Sequence, residues 1–410
     1  MTGSRPAGVT IDWIDGGVTA PQGFRAAGVA CGIKKTGALD LALVVADGPA
    51  AAAGVFTTNK AQAAPVVVSR EHLAASGGRA RAVIVNSGCA NACTGPEGMA
   101  VARSSADFIA SIAGCTADQV LVASTGVIGV QLDLDKLRKG AVEAANLLSR
   151  AAHDDAARAI MTTDREPKSA AVSVTTAAGT FRIGGMAKGA GMIEPHMATM
   201  LGLLTTDAAV APPVLLRALA DAVDVTFNAI TIDGDTSTND TVFLLASGAS
   251  GVQIDEAAYP WLVAALREVC GALAKAIVRG GEGATKLVSV SASGAASAED
   301  AKRAARTIAN SLLVKTAIHG GDPNWGRLLA AAGRAGVAFD VEHATVRIGP
   351  VVLFKDGVPF DDRAPDAAAY LAGSDIDIDV DLGGGGAHTA TVWTCDLSAE
   401  YVAINAEYRT

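Results

Sequence analysis

Lys188-Gly189-Ala190-Gly191-Met192-Ile193-Glu194-Pro195-His196-Met197-Ala198-Thr199-Met200-Leu201 lies near the middle of a 410-residue chain. Two glycines and a proline keep this stretch from settling into a helix or a strand. It runs into Leu201-Gly202-Leu203-Leu204-Thr205-Thr206-Asp207, whose apolar run predicts a short buried strand ending in a turn. A flexible approach to a threonine at the mouth of a buried strand suits one chemistry. The hydroxyl attacks the carbonyl carbon before it, the peptide becomes an ester, and water cuts the ester. What remains is an N-terminal threonine whose α-amine can act as base for its own hydroxyl.

Working outward, 410 residues make two domains the default expectation. Half the residues are hydrophobic and 18% are charged, so a large core can be buried. The net charge of −9 argues against nucleic acid or an anionic membrane as partner, because both need a basic surface. No run nears the roughly 18 apolar residues of a membrane span. Nothing at the start of the chain has signal-peptide form, so a cytoplasmic protein is expected. Six scattered cysteines, Cys31, Cys89, Cys93, Cys115, Cys270 and Cys395, form no CxxC pair. They read as reduced thiols, and no metal site is expected.

Upstream, strands are predicted at 39–46, 51–56, 64–69, 82–85 and 119–123. The last breaks into a loop at Ser124-Thr125-Gly126, where a hydroxyl and a backbone N–H can point at one spot. An amphipathic helix is predicted over 133–149 and a hairpin over 171–186. Downstream, Pro212-Pro213 opens a helix, a strand follows at 242–246, and a long helix covers 255–278. Ser297-x-x-Asp300 reads as a capping box for a helix ending near Ile318. Asp375, Asp377, Asp379 and Asp381 share one face of a strand, read as a solvated edge rather than a calcium site. Strands and helices mix throughout, so the class is α/β.

The central stretch resembles the self-cleavage site of the ornithine acetyltransferase family, the bifunctional glutamate N-acetyltransferases of arginine biosynthesis. Lys188-Gly189, Gly191-Met192-Ile193, Pro195 and Met197 to Leu201 carry the likeness. It extends from about Gly23 to Thr410 through Val85 to Ala92, Ile232 to Asp240, Gly321 to Arg327 and Tyr401 to Thr410. His196 and His319 depart from the family pattern.

The resemblance implies Thr199 as nucleophile, cleavage between Ala198 and Thr199, and an oxyanion hole from the Thr125 side chain and the Gly126 amide. It implies substrate contacts from Thr162 (with Thr163 as neighbouring alternative), Lys188, Thr199, Glu282, Asn405 and Thr410. A lysine suits a substrate carboxylate, and an acid such as Glu282 suits a substrate ammonium. The implied fold is a four-layer αββα sandwich of N-terminal-nucleophile-like type beside a smaller α/β domain lying mostly after residue 199. Residues 1–198 and 199–410 would become α- and β-chains that stay associated as a heterotetramer of two αβ units.

The expected activity moves acetyl from N2-acetylornithine to glutamate through an acetyl-threonine, releasing ornithine. No metal or cofactor is implied, and some members also accept acetyl-CoA. The alternatives are an N-terminal-nucleophile amidase or aminopeptidase, in which water takes the acyl group, and a non-cleaving amino-acid-binding protein.

Overall fold

The computed structural model describes residues 6–194 and 200–407. Ala198, Thr199, His196 and Thr410 therefore lie outside the described residues. The chain divides into two compact units, one reaching Asn228 and resuming over Asp235–Ile277, the other formed by Ala229–Gly234 and the chain from Val278 onward.

The first unit opens with β1 (Val9–Trp13), β2 (Phe24–Val29) and the long β3 (Leu41–Phe56). Then come α1 (Ala64–Ala75), β4 (Arg79–Cys89), α2 (Gly95–Ala113), β5 (Val120–Val127), α3 (Leu134–Leu147) and α4 (His153–Ala159). The hairpin β6 (Lys168–Thr176) and β7 (Gly179–Lys188) leads to β8 (Leu201–Thr206), α5 (Pro212–Val223), β9 (Thr241–Ala246) and α6 (Tyr259–Arg279).

All nine strands form one sheet in the order β1-β6-β7-β8-β9-β3-β4-β5, with β2 also on β3. β3 makes this sheet fold on itself. Its first half pairs with β2 and β4, its second half with β9, and the register shifts between Val45 and Ala50. Such an irregularity bends a strand and increases its twist. The two half-sheets then face each other across Val44, Val83, Leu121, Leu203, Phe243 and Leu245, all buried.

Alternation along the strands turns the other residues outward. Leu43, Ile84 and Val122 pack against Ile109 of α2 and Leu137 of α3. On the far side α5 lies against β3 and β9, while Leu273 of α6 approaches Gly185 of β7. Helix, sheet, sheet, helix is thus the layer order, the αββα arrangement the sequence led us to expect.

The run 64–69 is helical, not a strand. Pro65 sits in the first turn, and Ser69, fully buried, accepts from the Val122 amide and donates to the Val122 carbonyl. His72 also reaches the Val120 carbonyl, so α1 covers the outer edge of β5. The valines follow the helix because that edge needs a cover, a tertiary demand that local β propensity does not register.

The second unit holds β10 (Leu287–Ala295), α7 (Ala298–Ala309), α8 (Leu312–Gly320) and α9 (Trp325–Gly333). It continues with β11 (Thr345–Ile348), β12 (Val351–Lys355), β13 (Val358–Pro359), α10 (Ala364–Leu371), β14 (Asp375–Asp381), β15 (His388–Cys395) and α11 (Ala399–Glu407). The sheet order is β13-β12-β11-β14-β10-β15, and Val290, Val346 and Ile378 share its core with Ile308 of α7 and Leu328 of α9.

Two expectations are corrected here. Ser297 caps α7 as expected, but the helix stops at Ala309 and restarts after Ser311, so 298–320 is two helices. Asn310 sits at the break, where its side-chain oxygen accepts from Thr231. The aspartate strand β14 is internal, flanked by β10 and β11. Its carboxylates line the open face of the sheet rather than guarding an edge, and Asp375 pairs with Arg279.

Glycine is decisive at Gly184 of β7, where an added Cβ would lie 2.0 Å from the Gly17 carbonyl oxygen. We expect Gly184→Ala to destabilise the fold by about 2 kcal/mol or more, through forced backbone movement. Urea unfolding checks this; a midpoint equal to wild type would refute it.

Candidate active site

β7 ends at Lys188 and β8 begins at Leu201, and these two residues are paired partners across the ladder. The quoted stretch is the excursion between them. Met192 within it takes φ 57, uncommon for a non-glycine residue.

β4 and β5 run parallel beside each other, and pairing continues past Ser124 to Val127. Thr125 and Gly126 thus lie in the last stretch of pairing of a strand that ends at Val127, not in a loop as expected. Gly126 allows this, with φ 130 and an absent Cβ that would sit 2.4 Å from the Gly88 carbonyl carbon. No other residue lets the two backbones approach so closely.

The strand ends are locked by buried amides. Ser124 donates to Asn86 at 2.6 Å, and Asn86 donates to the Cys89 carbonyl at 2.8 Å. Asn239 donates to the carbonyls of Ala90 and Ser124 at 2.7 and 2.8 Å. The Val85–Ala92 and Ile232–Asp240 segments, quoted for resemblance alone, therefore brace the Thr125 position.

Lys188 is 3% exposed, and its Nζ donates to Thr125 Oγ1 at 3.2 Å. A hydroxyl oxygen that accepts from an ammonium can turn its own proton outward. Behind Lys188 lies Asp164, whose carboxylate accepts from Lys168 Nζ at 2.6 Å, the Gly189 amide at 2.8 Å and the Thr162 amide at 3.0 Å. One buried carboxylate thus ties the Thr162 segment to the start of the excursion.

Burial alone would raise the Asp164 carboxyl. The Lys188 and Lys168 charges, with the Lys168 and Gly189 hydrogen bonds, overcome it and bring the pKa down to about 2. Asp240 behaves oppositely. It is completely enclosed, burial dominates, and its pKa stands well above the ordinary range despite the Met200 and Ser237 amides and the Lys188 charge. Lys34, packed on Gly88, is pushed down by burial, with Asp40 opposing and Lys188 reinforcing.

In the second unit, Gly283 at φ 68 lets α11 come so close that a Cβ would meet the Tyr401 amide nitrogen at 2.4 Å. The neighbouring Glu282 is buried and accepts from Asn405 Nδ2 at 2.8 Å. Tyr401 donates its hydroxyl to Asp233. His319 lies 2.7 Å from Asp396, and Asn324 caps α9, so the Gly321–Arg327 segment builds a helix corner.

The sequence-derived residues therefore fall in two groups. Thr125, Gly126, Thr162 and Lys188 converge in the first unit, and Glu282 and Asn405 meet in the second. Sequence reasoning passed over Asp164 and Asp240. The i,i+4 spacing of Asp164 and Lys168 was a visible signal; for Asp240 there was none. Among the described residues no cluster of His, Cys, Asp or Glu is disposed to hold a metal ion, and no helix is long and apolar enough to cross a membrane.

An αββα sandwich that gathers a threonine hydroxyl, a strand-end glycine and a buried lysine is the framework of an acyltransferase. The ArgJ family model matches residues 25–410, and the chain belongs to that family. It is 51% identical over 392 residues to the arginine biosynthesis bifunctional protein ArgJ of Nitratidesulfovibrio vulgaris, covering 95% of this chain and 99% of that one. It is 49% identical over 403 residues to the protein of the same name from Gloeobacter violaceus, covering 97% and 99%. A crystal structure of the Bacillus halodurans relative is 42% identical, with TM-score 0.48, over 50% of this chain and 97% of that one.

The Asp164 carboxyl yields a pH prediction. Its folded pKa, about 2, lies below its reference value of 3.8. Its contribution is therefore complete above the unfolded value and is lost as pH falls through 3.8 towards about 2. We expect roughly 2 kcal/mol to disappear over that window. Urea midpoints measured against pH should show this acid limb in wild type and a flatter one in Asp164→Asn; equal slopes would refute it.

Proposed function

We propose that the chain is a self-cleaving acetyltransferase of arginine biosynthesis that moves acetyl from N2-acetylornithine to glutamate. The ArgJ membership supports the reaction class. The observation that carries the chemistry is Lys188 donating to Thr125 beside Gly126, in the sheet that also starts the strand following Thr199.

Thr199 attacks the Ala198 carbonyl, its peptide nitrogen leaves, and water hydrolyses the resulting ester. The products are an α-chain of residues 1–198 and a β-chain of residues 199–410, held together because β7 and β8 pair across the cut. The new α-amine, with a reference pKa of about 7.7–8.0, is partly neutral near pH 7 and takes the hydroxyl proton.

The hydroxyl then attacks the acetyl carbonyl of N2-acetylornithine. The Thr125 hydroxyl and the Gly126 amide donate to the tetrahedral oxyanion, and Lys188 stiffens the Thr125 donor. Ornithine leaves, glutamate attacks the acetyl-threonine, and N-acetylglutamate departs. Thr162, Lys188, Glu282, Asn405 and Thr410 are the substrate contacts, with Glu282 suited to an ammonium. The enzyme works in the cytoplasm as a heterotetramer of two αβ units, and acetyl-CoA is a second acetyl donor to test.

N-terminal sequencing of the purified protein should reveal a chain starting Thr199-Met200-Leu201-Gly202. Thr199→Ala should be folded, uncut and inactive, whereas Thr199→Ser should still cut. Normal processing of Thr199→Ala would refute the nucleophile. Radiolabelled acetylornithine should yield labelled N-acetylglutamate only when glutamate is present; acetate release at the same rate without it would identify a hydrolase.

Thr125→Ala should slow scission and turnover together, each by about 100-fold or more, the usual effect of deleting one oxyanion donor. An effect confined to one step would refute a shared oxyanion hole.

A further inference from the structure

One cation close to the strand ends has no part in the steps above. The chain between β2 and β3 carries Ile33 and Lys34 onto Gly88 of β4. Asp40, fully buried, fastens that loop by accepting from the Cys31 and Lys34 amides at 2.7 and 2.9 Å. The Asp40 carbonyl accepts from the Ser87 amide at 2.9 Å, which ties the loop to β4 one residue before Gly88.

Gly88 takes φ 97, and a Cβ there would lie 3.0 Å from Lys34 Cγ. The lysine stem fills the space a side chain would have taken. Gly88 is also the register partner of Gly126. Lys34 is thus seated one strand away from the Gly126 amide.

Lys34 is half-buried, and its Nζ donates to the Leu39 carbonyl at 2.7 Å. An ammonium has three N–H groups. Among the described residues the other two meet no acceptor, and no carboxylate pairs with them. The Asp40 oxygens are taken by the two loop amides. Burial disfavours the Lys34 charge most, and Lys188 disfavours it further, while Asp40 and Asp164 offset this in part. A half-buried ammonium that lacks an acid and feels a second ammonium is stabilised by an incoming anion.

The substrates' chemistry says which anion. N2-acetylornithine and N-acetylglutamate both carry an α-carboxylate two bonds from the acylated nitrogen. Their side-chain ends lie farther along and differ in charge. With the acyl oxygen on Thr125 and Gly126, the α-carboxylate is the anion that stays close.

We propose that Lys34, seated on Gly88 beside Gly126 and without an acid partner, binds the α-carboxylate shared by acetyl donor and acceptor. The inference rests on the acetyl-transfer reading above and gives that site a specificity-determining residue. N-acyl amines with the carboxylate are selected over those without it. No bond is made or broken at Lys34.

The test compares mature wild type with Lys34→Met and Lys34→Arg on two donors, N2-acetylornithine and N-acetylputrescine, the same molecule without its carboxylate. Formation of the acetyl-enzyme is followed by intact mass. Lys34→Met should lower kcat/KM for N2-acetylornithine roughly 10- to 100-fold, the span of a hydrogen bond to a charged group, mainly through KM. Lys34→Arg should recover most of that loss. On N-acetylputrescine, wild type and Lys34→Met should be equally slow. An equal loss on both donors would mean that Lys34 only straps its loop through Leu39, and overturns the assignment while leaving acetyl transfer intact. No acetyl-enzyme from wild type and N2-acetylornithine overturns both.

A second measurement needs no variant. Reductive methylation of wild-type Lys34 by formaldehyde and cyanoborohydride, read on its peptide by mass, should slow at least several-fold when N-acetylglutamate saturates the enzyme. The same labelling rate with and without N-acetylglutamate overturns the proposal.

Discussion

The buried ion cluster of Asp164, Lys168 and Lys188 is the constraint on which the site depends. Removing two ammonium groups and a carboxylate from water is expensive, and only close hydrogen-bonded geometry offsets it. Asp164 meets that demand with Lys168, Gly189 and Thr162 all on its two oxygens. The consequence is positional. The end of α4's following loop, the start of β6 and the end of β7 are fastened to one point, and Lys188 is left facing Thr125.

Two carboxyls close to Lys188 are driven in opposite directions. Asp164 has a second lysine and two backbone amides within hydrogen-bond reach of the Thr162–Gly189 segment, enough to keep it ionised. Asp240 lacks a lysine of its own, and complete enclosure prevails. Beside Thr125 stands the Lys188 ammonium, and burial strengthens its field there.

Backbone crowding is the other device. Gly126 allows β4 and β5 to touch where a side chain would collide with the Gly88 backbone, so the strand end carrying Thr125 can be held by Asn86, Ser124 and Asn239. Gly283 does the same for Glu282 in the second unit, where close approach of α11 brings Asn405 onto the carboxylate. In both units glycine fixes the place of a neighbouring residue by lacking a side chain of its own.

The chain alone determined the α/β class, the buried strand from Leu201, the hairpin into Lys188, the amphipathic α3 and the capped start of α7. Each depends on contacts within a few residues, where alternation, turns and caps act directly. It also singled out Thr125, Gly126, Lys188, Glu282 and Asn405, because their segments match a family in order. Tertiary structure alone decided that 64–69 is a helix covering β5, that Thr125 sits in a strand, that β14 is internal, and that Asp164 and Asp240 are buried. Those outcomes depend on partners dozens of residues away and on burial, and neither the reach of a carboxylate nor the water it loses is written in the local pattern of side chains.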